Sequence, residues 1–279
     1  MIIILHKYFI IDIEYIYIFN MSGKNQIPRI IHQTWKNYNV PEHWKKAVES
    51  CKIIHKTYKY VHWTDDDMEE FVKTIYPDFY STYMKYKYHI QRCDAFRYLI
   101  LYRYGGIYID MDIVCRKKLD DLLQYDIVFA KSSNITNYAT NSFMMSIPNH
   151  PFMKYAIDNL QLYQESYSSF GKHWHVMNST GPIYLQKIII SYISKTRTEI
   201  PHSYFLSQAE FAGDCNACSE KMCLGGTYFS HVKGHSWHEA DSAIYNVLIC
   251  NKKSSLAILF LIIIGLVIYI VVVEKNFRL

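Results

Sequence analysis

Residues 104–114 read Tyr104-Gly105-Gly106-Ile107-Tyr108-Ile109-Asp110-Met111-Asp112-Ile113-Val114. Ile107, Ile109, Met111 and Ile113 alternate with Tyr108, Asp110 and Asp112, the period-2 pattern of a strand with two unlike faces. This predicts a strand over 107–114. Carboxylates at i and i+2 of an extended chain project to one side, so Asp110 and Asp112 can approach a single cation. Oxygen ligands suit hard divalent ions, and Mg²⁺ or Mn²⁺ is often held by one or two carboxylates plus ligand phosphates. Such an ion neutralises a departing diphosphate. Alone, an acidic pair at a strand end is a weak signal, since most are simply solvated.

Upstream, Cys93, Phe96, Ile100 and Tyr104 recur at helical spacing, predicting a helix over 90–104 that stops at Gly105. Asp94 and Arg97 lie at i and i+3 on that helix; a plain ion pair there is worth a few tenths of a kcal/mol. Residues 29–35 and 58–64 read as strands, and Thr64 followed by Asp65, Asp66 and Asp67 reads as a helix start. Residues 126–130 and 142–147 read as buried strands, the second leading through Pro148 into a helix. This alternation predicts an α/β sandwich with a mixed, mostly parallel sheet. Beyond Gly171 the pattern loosens, with one strand within 225–238 and His173 and His175 flanking Trp174 in a polar loop.

The formal charge of +5 suits a phosphorylated ligand or anionic lipid, but no basic block is dense enough for nucleic acid, which is excluded. Residues 256–273 are uninterrupted apolar sequence. Eighteen residues at ~1.5 Å rise reach about 27 Å, which predicts one C-terminal transmembrane helix. Residues 1–20 are an uncertain hydrophobic extension, broken by Lys7, Asp12 and Glu14, and Met21 is an alternative start. The expected organisation is a catalytic domain over 21–245, a linker over 246–255, the membrane helix and a tail over 274–279. Two glycosylation sequons begin at Asn134 and Asn178, which leaves the topology open. Seven cysteines argue against a full disulfide framework, and Cys215, Cys218 and Cys223 read as a local disulfide or inert thiols rather than zinc ligands.

The runs Gln91-Arg92-Cys93-Asp94-Ala95-Phe96-Arg97-Tyr98 and Tyr104 to Asp112 resemble the signature of glycosyltransferase family 32. That family includes fungal α-mannosyltransferases and the catalytic subunits that mannosylate inositol phosphorylceramide. Ile27 to Trp35 resembles its opening strand, where the nucleotide base docks. Asn141 before Pro148-Asn149-His150-Pro151-Phe152, the turn Thr180-Gly181-Pro182, and His231 with Ser236-Trp237-His238 resemble later segments. The match covers about 27–241. Val232 stands where the family often has a second histidine.

The resemblance implies a GT-A-like, Rossmann-type nucleotide-sugar domain and a retaining hexosyl transfer. GDP-mannose is the leading donor and a UDP-hexose the alternative. The acceptor is a lipid headgroup such as inositol phosphorylceramide, or else a glycan, in an endomembrane setting with a candidate regulatory second subunit. Asp110, Asp112 and His231 are the implied ligands of Mn²⁺ or Mg²⁺, and Asp110, Asp112 and Asn141 the implied catalytic residues. His32, Gln33, Trp35, Asp94, Arg97, Tyr108 and Trp237 are the implied donor contacts. Two rival readings stand beside it. One is a haloacid-dehalogenase-like phosphatase with Asp110 as nucleophile; the other is an inactive, membrane-tethered sugar-binding module.

Overall fold

The segment predicted as one strand forms two, Gly106–Ile109 and Ile113–Cys115. Between them the Ile113 amide donates to the Asp110 carbonyl at 3.2 Å, so Asp110-Met111-Asp112 occupies a tight turn. The expectation that an extended backbone aligns the two carboxylates is therefore corrected. They converge because the turn brings both to the same cleft.

The computed structural model describes residues 26–131, 139–213, 225–232 and 236–250, with Ile264 standing alone. The expectations for 1–20, 256–273, Asn134, Cys215, Cys218 and Cys223 lie outside these residues. Among the described residues no helix is long and apolar enough to cross a membrane.

In chain order the elements are β1 (Ile30–Thr34), α1 (Glu42–Ile54), β2 (Lys59–Trp63), α2 (Asp65–Ile75), α3 (Pro77–Lys85), α4 (His89–Tyr104), β3 (Gly106–Ile109) and β4 (Ile113–Cys115). Then come β5 (Ile127–Lys131), β6 (Ala139–Ser146), α5 (Pro151–Tyr163), α6 (Lys172–Ser179), α7 (Pro182–Thr196), β7 (Ser203–Leu206), α8 (Gln208–Phe211), β8 (Phe229–His231) and α9 (Ala240–Cys250). The main sheet runs β2-β1-β3-β6-β5-β7, and β4 pairs with β8 in a small second sheet. β1 is parallel to β2 and β3, and β5 to β7, whereas β6 is antiparallel to both β3 and β5. The mixed sheet is as expected.

Alternation places the sheet between two apolar layers. Tyr108, Phe129 and Met144 join the core on one side, and Ile107, Ile109, Val128, Phe143 and Met145 the core on the other. Helix α4 is buried along its whole run from Asp94 to Leu101, as a helix enclosed on all sides must be. The Asp94/Arg97 pair is thus an interior pair, not a solvated one. Gly105 ends this helix at φ 62°, where a Cβ would stand 2.7 Å from the Ser146 carbonyl oxygen and the Pro148 nitrogen. Only glycine fits there. Thr64 caps α2 as predicted, in a reciprocal box with Asp67.

The loosening expected beyond Gly171 is not seen, for α6 and α7 follow directly. His173 and His175 are buried in α6 rather than set in a loop, their polarity having masked a helix that packs through them. Asn178 is also buried, bonded to the Trp174 carbonyl and to Lys187, so its sequon is no acceptor for a glycan in the folded chain.

Candidate active site

A cleft of about 490 Å³ opens at the carboxyl end of β3, lined among others by Trp35, Asp94, Arg97, Tyr108, Asp110, Asp112 and Asn141. Arg97 organises its floor. One guanidinium nitrogen donates to the Asn141 carbonyl at 2.6 Å; another lies 3.1 Å from Asp94 Oδ1 and 3.4 Å from Asp110 Oδ1. The guanidinium also lies 4.6 Å from the centre of the Tyr108 ring. The Tyr108 hydroxyl donates to Asp110 Oδ1 at 2.9 Å and meets Thr34 Oγ1 at 3.0 Å. Asp94 accepts from Asn141 Nδ2 at 2.9 Å and from Thr180 Oγ1 at 3.0 Å.

Asp112 differs from Asp110. Its Oδ1 is buried and has no hydrogen-bond partner among the described residues, while its carbonyl accepts from the Val232 amide at 2.8 Å. An orphaned carboxylate oxygen beside a second carboxylate fits a divalent cation. His231, the expected third ligand, pairs with Ile113 across β4 and β8 and sets its ring edge-on to Phe211 at 5.5 Å. It does not line the cleft. Among the described residues no group of three His, Cys, Asp or Glu side chains is placed to hold a metal. Asp110 and Asp112 thus face the cleft as a carboxylate pair, while the His231 ring packs on Phe211 within electrostatic reach of Asp110.

Burial sets the electrostatics. It pushes the Asp94 carboxyl up to about 6 against the pull of Arg97. It also pushes Asp112 up to about 7, with the neighbouring Asp110 charge adding to the rise. Burial works against the charge on Arg97, yet Asp110 first, then Tyr108 and Asp94, outweigh it and hold the guanidinium firmly protonated. Burial lowers His231 against the pull of the Asp110 charge.

Other expected contacts divide. Trp35 and Trp237 line the cleft, Trp35 edge-on to Trp44 at 4.8 Å and Trp237 stacked on His173 at 5.5 Å. His32 and Gln33 do not. His32 is fully buried between the Gly105 carbonyl and the Trp63 indole N–H. Gln33 accepts from the Tyr60 hydroxyl and donates to the Asp110 carbonyl at 3.4 Å. Gln33 thus supports the carboxylate turn from behind, while His32 braces the helix stop at Gly105. Trp44, Lys87, Tyr88 and Lys172 also line the cleft and were not foreseen. Nor was the His89–Asp65 pair at 3.2 Å, whose hydrogen bond raises the imidazole to about 10.

A mixed α/β sheet with a paired-carboxylate turn at its edge and a buried Asp–Arg couple above it defines a nucleotide-sugar glycosyltransferase class. Residues 41–129 match the glycosyltransferase sugar-binding region containing the DXD motif, and this chain belongs to that glycosyltransferase family. It is 40% identical over 225 residues to mannosyl phosphorylinositol ceramide synthase SUR1 of Saccharomyces cerevisiae, covering 80% of this chain and 54% of that one. It is 34% identical to inositol phosphoceramide mannosyltransferase 1 of Schizosaccharomyces pombe, covering 85% and 70%. The chain thus spans only about half the length of the first relative. The ligand-free glycosyltransferase domain of the YGT toxin shares the fold, with a TM-score of 0.50 at 9% identity over 65% of this chain and 80% of that one. The family leaves no place for the phosphatase reading.

Proposed function

We propose that this chain transfers a hexose, with mannose from GDP-mannose as the leading donor and a UDP-hexose as the alternative, onto the inositol phosphate headgroup of a sphingolipid. The reading is carried by the Asp94–Arg97–Asp110 chain of contacts beside the orphaned Asp112 Oδ1. The names of the two yeast relatives support the sugar and the acceptor.

Asp110 and Asp112 would hold Mn²⁺ or Mg²⁺, which when bound neutralises the diphosphate of the leaving nucleotide. Arg97, fixed by four contacts, presents a permanent positive charge where negative charge develops on that phosphate. Asp94 orients the sugar but is a poor nucleophile, because Asn141, Thr180 and Arg97 already occupy its oxygens. Retention, implied by the family resemblance, then favours front-face attack with the leaving phosphate accepting the acceptor's proton. Trp35 offers its ring to the base, and Trp237 closes over the diphosphate.

The Cys51–Cys115 disulfide supports a domain on the oxidising, lumenal side of an endomembrane, with residues 256–273 as its anchor. The test is to incubate the purified chain with Mn²⁺ and radiolabelled GDP-mannose, UDP-glucose or UDP-galactose. Slow hydrolysis of one donor, rising to transfer when inositol phosphorylceramide is added, is expected. Donor binding without any turnover would instead establish an inactive sugar-binding module.

A further inference from the structure

Two lysines of the same cleft are not accounted for by the donor contacts described above. Lys87 carries its ammonium 5.3 Å from the centre of the Tyr88 ring, and Lys172 carries its own 5.5 Å from that same ring. Both line the cleft. Lys87 has no acidic partner among the described residues. The Lys172 side chain is only 16% exposed and meets Glu239 at 2.8 Å, but Glu239 itself is 62% exposed. An exposed cation–π contact is worth about 0.5–1 kcal/mol, too little to hold either ammonium group on the ring against a bound anion, which charge-assisted hydrogen bonds from both would favour.

Helix α4 shows where such an anion would sit. Arg97 touches Asp110, and Tyr88 is the residue that caps the same helix. At ~1.5 Å per residue the two are about 13 Å apart along the axis. The lysines therefore lie towards the helix start, beyond Asp94 from the carboxylate turn, where a second ligand could lie beside a hexose oriented by Asp94 and Arg97.

We infer that Lys87 and Lys172 form a phosphate subsite for the acceptor, so that the cleft selects hydroxyl compounds carrying a phosphodiester about one sugar ring from the attacking oxygen. This rests on the proposed transferase function for its meaning, though not for its test. Lys172, held by Glu239, fixes the orientation, and the more exposed Lys87 folds onto the phosphate.

The test is calorimetric titration of the full chain, loaded with GDP and Mn²⁺, using glycerophosphoinositol, myo-inositol and inorganic phosphate as probes. Glycerophosphoinositol should bind about tenfold or more tightly than either of the others. Lys87→Gln/Lys172→Gln should erase that preference while GDP affinity and the thermal midpoint hold, and the double Arg variant should restore it. If the double variant does not fold, Lys87→Gln alone, at an exposed position, should still weaken glycerophosphoinositol several-fold. Vesicles containing inositol phosphorylceramide should compete with the soluble probe. The inference is overturned if the Gln variants bind glycerophosphoinositol unchanged, or if inorganic phosphate binds as tightly. A parallel loss of GDP affinity would also overturn it, by assigning the lysines to the donor. Because the readout is binding, absent hexose transfer would count against the proposed function and leave the subsite standing.

Discussion

The Arg97 guanidinium stands 3.4 Å from the Asp110 carboxylate, and its burial makes that distance consequential. One buried cation serves two acids, so neither acid is independent of it. Replacing Arg97 with Met would strand Asp94 in the interior, at a cost of about 3–5 kcal/mol in urea unfolding. Asp94→Asn/Arg97→Met should be much less destabilised, since the charge left without its cation, on Asp110, belongs to a side chain that is 31% exposed. Arg97→Lys keeps the charge but not the fork, and donor turnover should fall about 100-fold or more. Full turnover in the lysine variant would show that geometry at this position is unimportant.

Asp112→Asn should fold and lose nearly all Mn²⁺-dependent donor turnover, whereas activity close to wild type would remove Asp112 from the cation site. The pH response follows from the raised carboxyl. Its ordinary value is 3.8 and its folded value about 7, so over that window the folded chain holds a proton that the unfolded chain has released. This contribution is complete below about pH 4 and is lost as pH rises through about 7. Without divalent ions, wild type should therefore lose stability relative to Asp112→Asn by an amount on the order of 1–3 kcal/mol between pH 4 and 7. Paired thermal melts across that range would measure it.

What could be read from the residues was whatever repeats locally. Alternation marked β2 and β3, apolar runs marked β1, β5 and β6, spacing marked α4, and Thr64 marked the start of α2. The break after Ile109 was hidden because Asp110-Met111-Asp112 keeps the period of a strand while its backbone turns. Helix α6 was hidden because two histidines and an asparagine give its inner face a polar composition. At the site, the acids and Arg97 stood out as a motif. Lys87 and Lys172 did not, since they are brought to Tyr88 from separate elements by tertiary packing alone.

Gly105→Ala tests how tightly the helix stop governs the site. The substitution demands φ 62° of a residue with a Cβ, and that Cβ would sit 2.7 Å from backbone atoms of Ser146 and Pro148. Neither neighbour can yield easily, since Ser146 pairs with β3 and β5. A loss of about 2–4 kcal/mol is expected, read as a lower urea midpoint. Turnover per folded molecule should also drop, because β3 carries Tyr108 into its contact with Asp110.

Cys51 in α1 and Cys115 at the end of β4 are joined across 64 residues, and this bond bears directly on the carboxylate turn. Cys115 is three residues past Asp112, its amide donates to Ser50 Oγ at 2.9 Å, and the Asp112 carbonyl is tied to Val232. The turn is thus held from β8 on one side and from α1 on the other. Helix α1 also brings Trp44 to the cleft. A cross-link closing a loop of this size contributes roughly 2–5 kcal/mol, so Cys51→Ser/Cys115→Ser should unfold at distinctly lower urea. Reduction should also raise the Mn²⁺ concentration needed for half-maximal donor turnover, since the strand leading from Asp112 would lose one of its two anchors. An unchanged Mn²⁺ requirement alongside the lower stability would mean that the bond stabilises the fold without positioning Asp112.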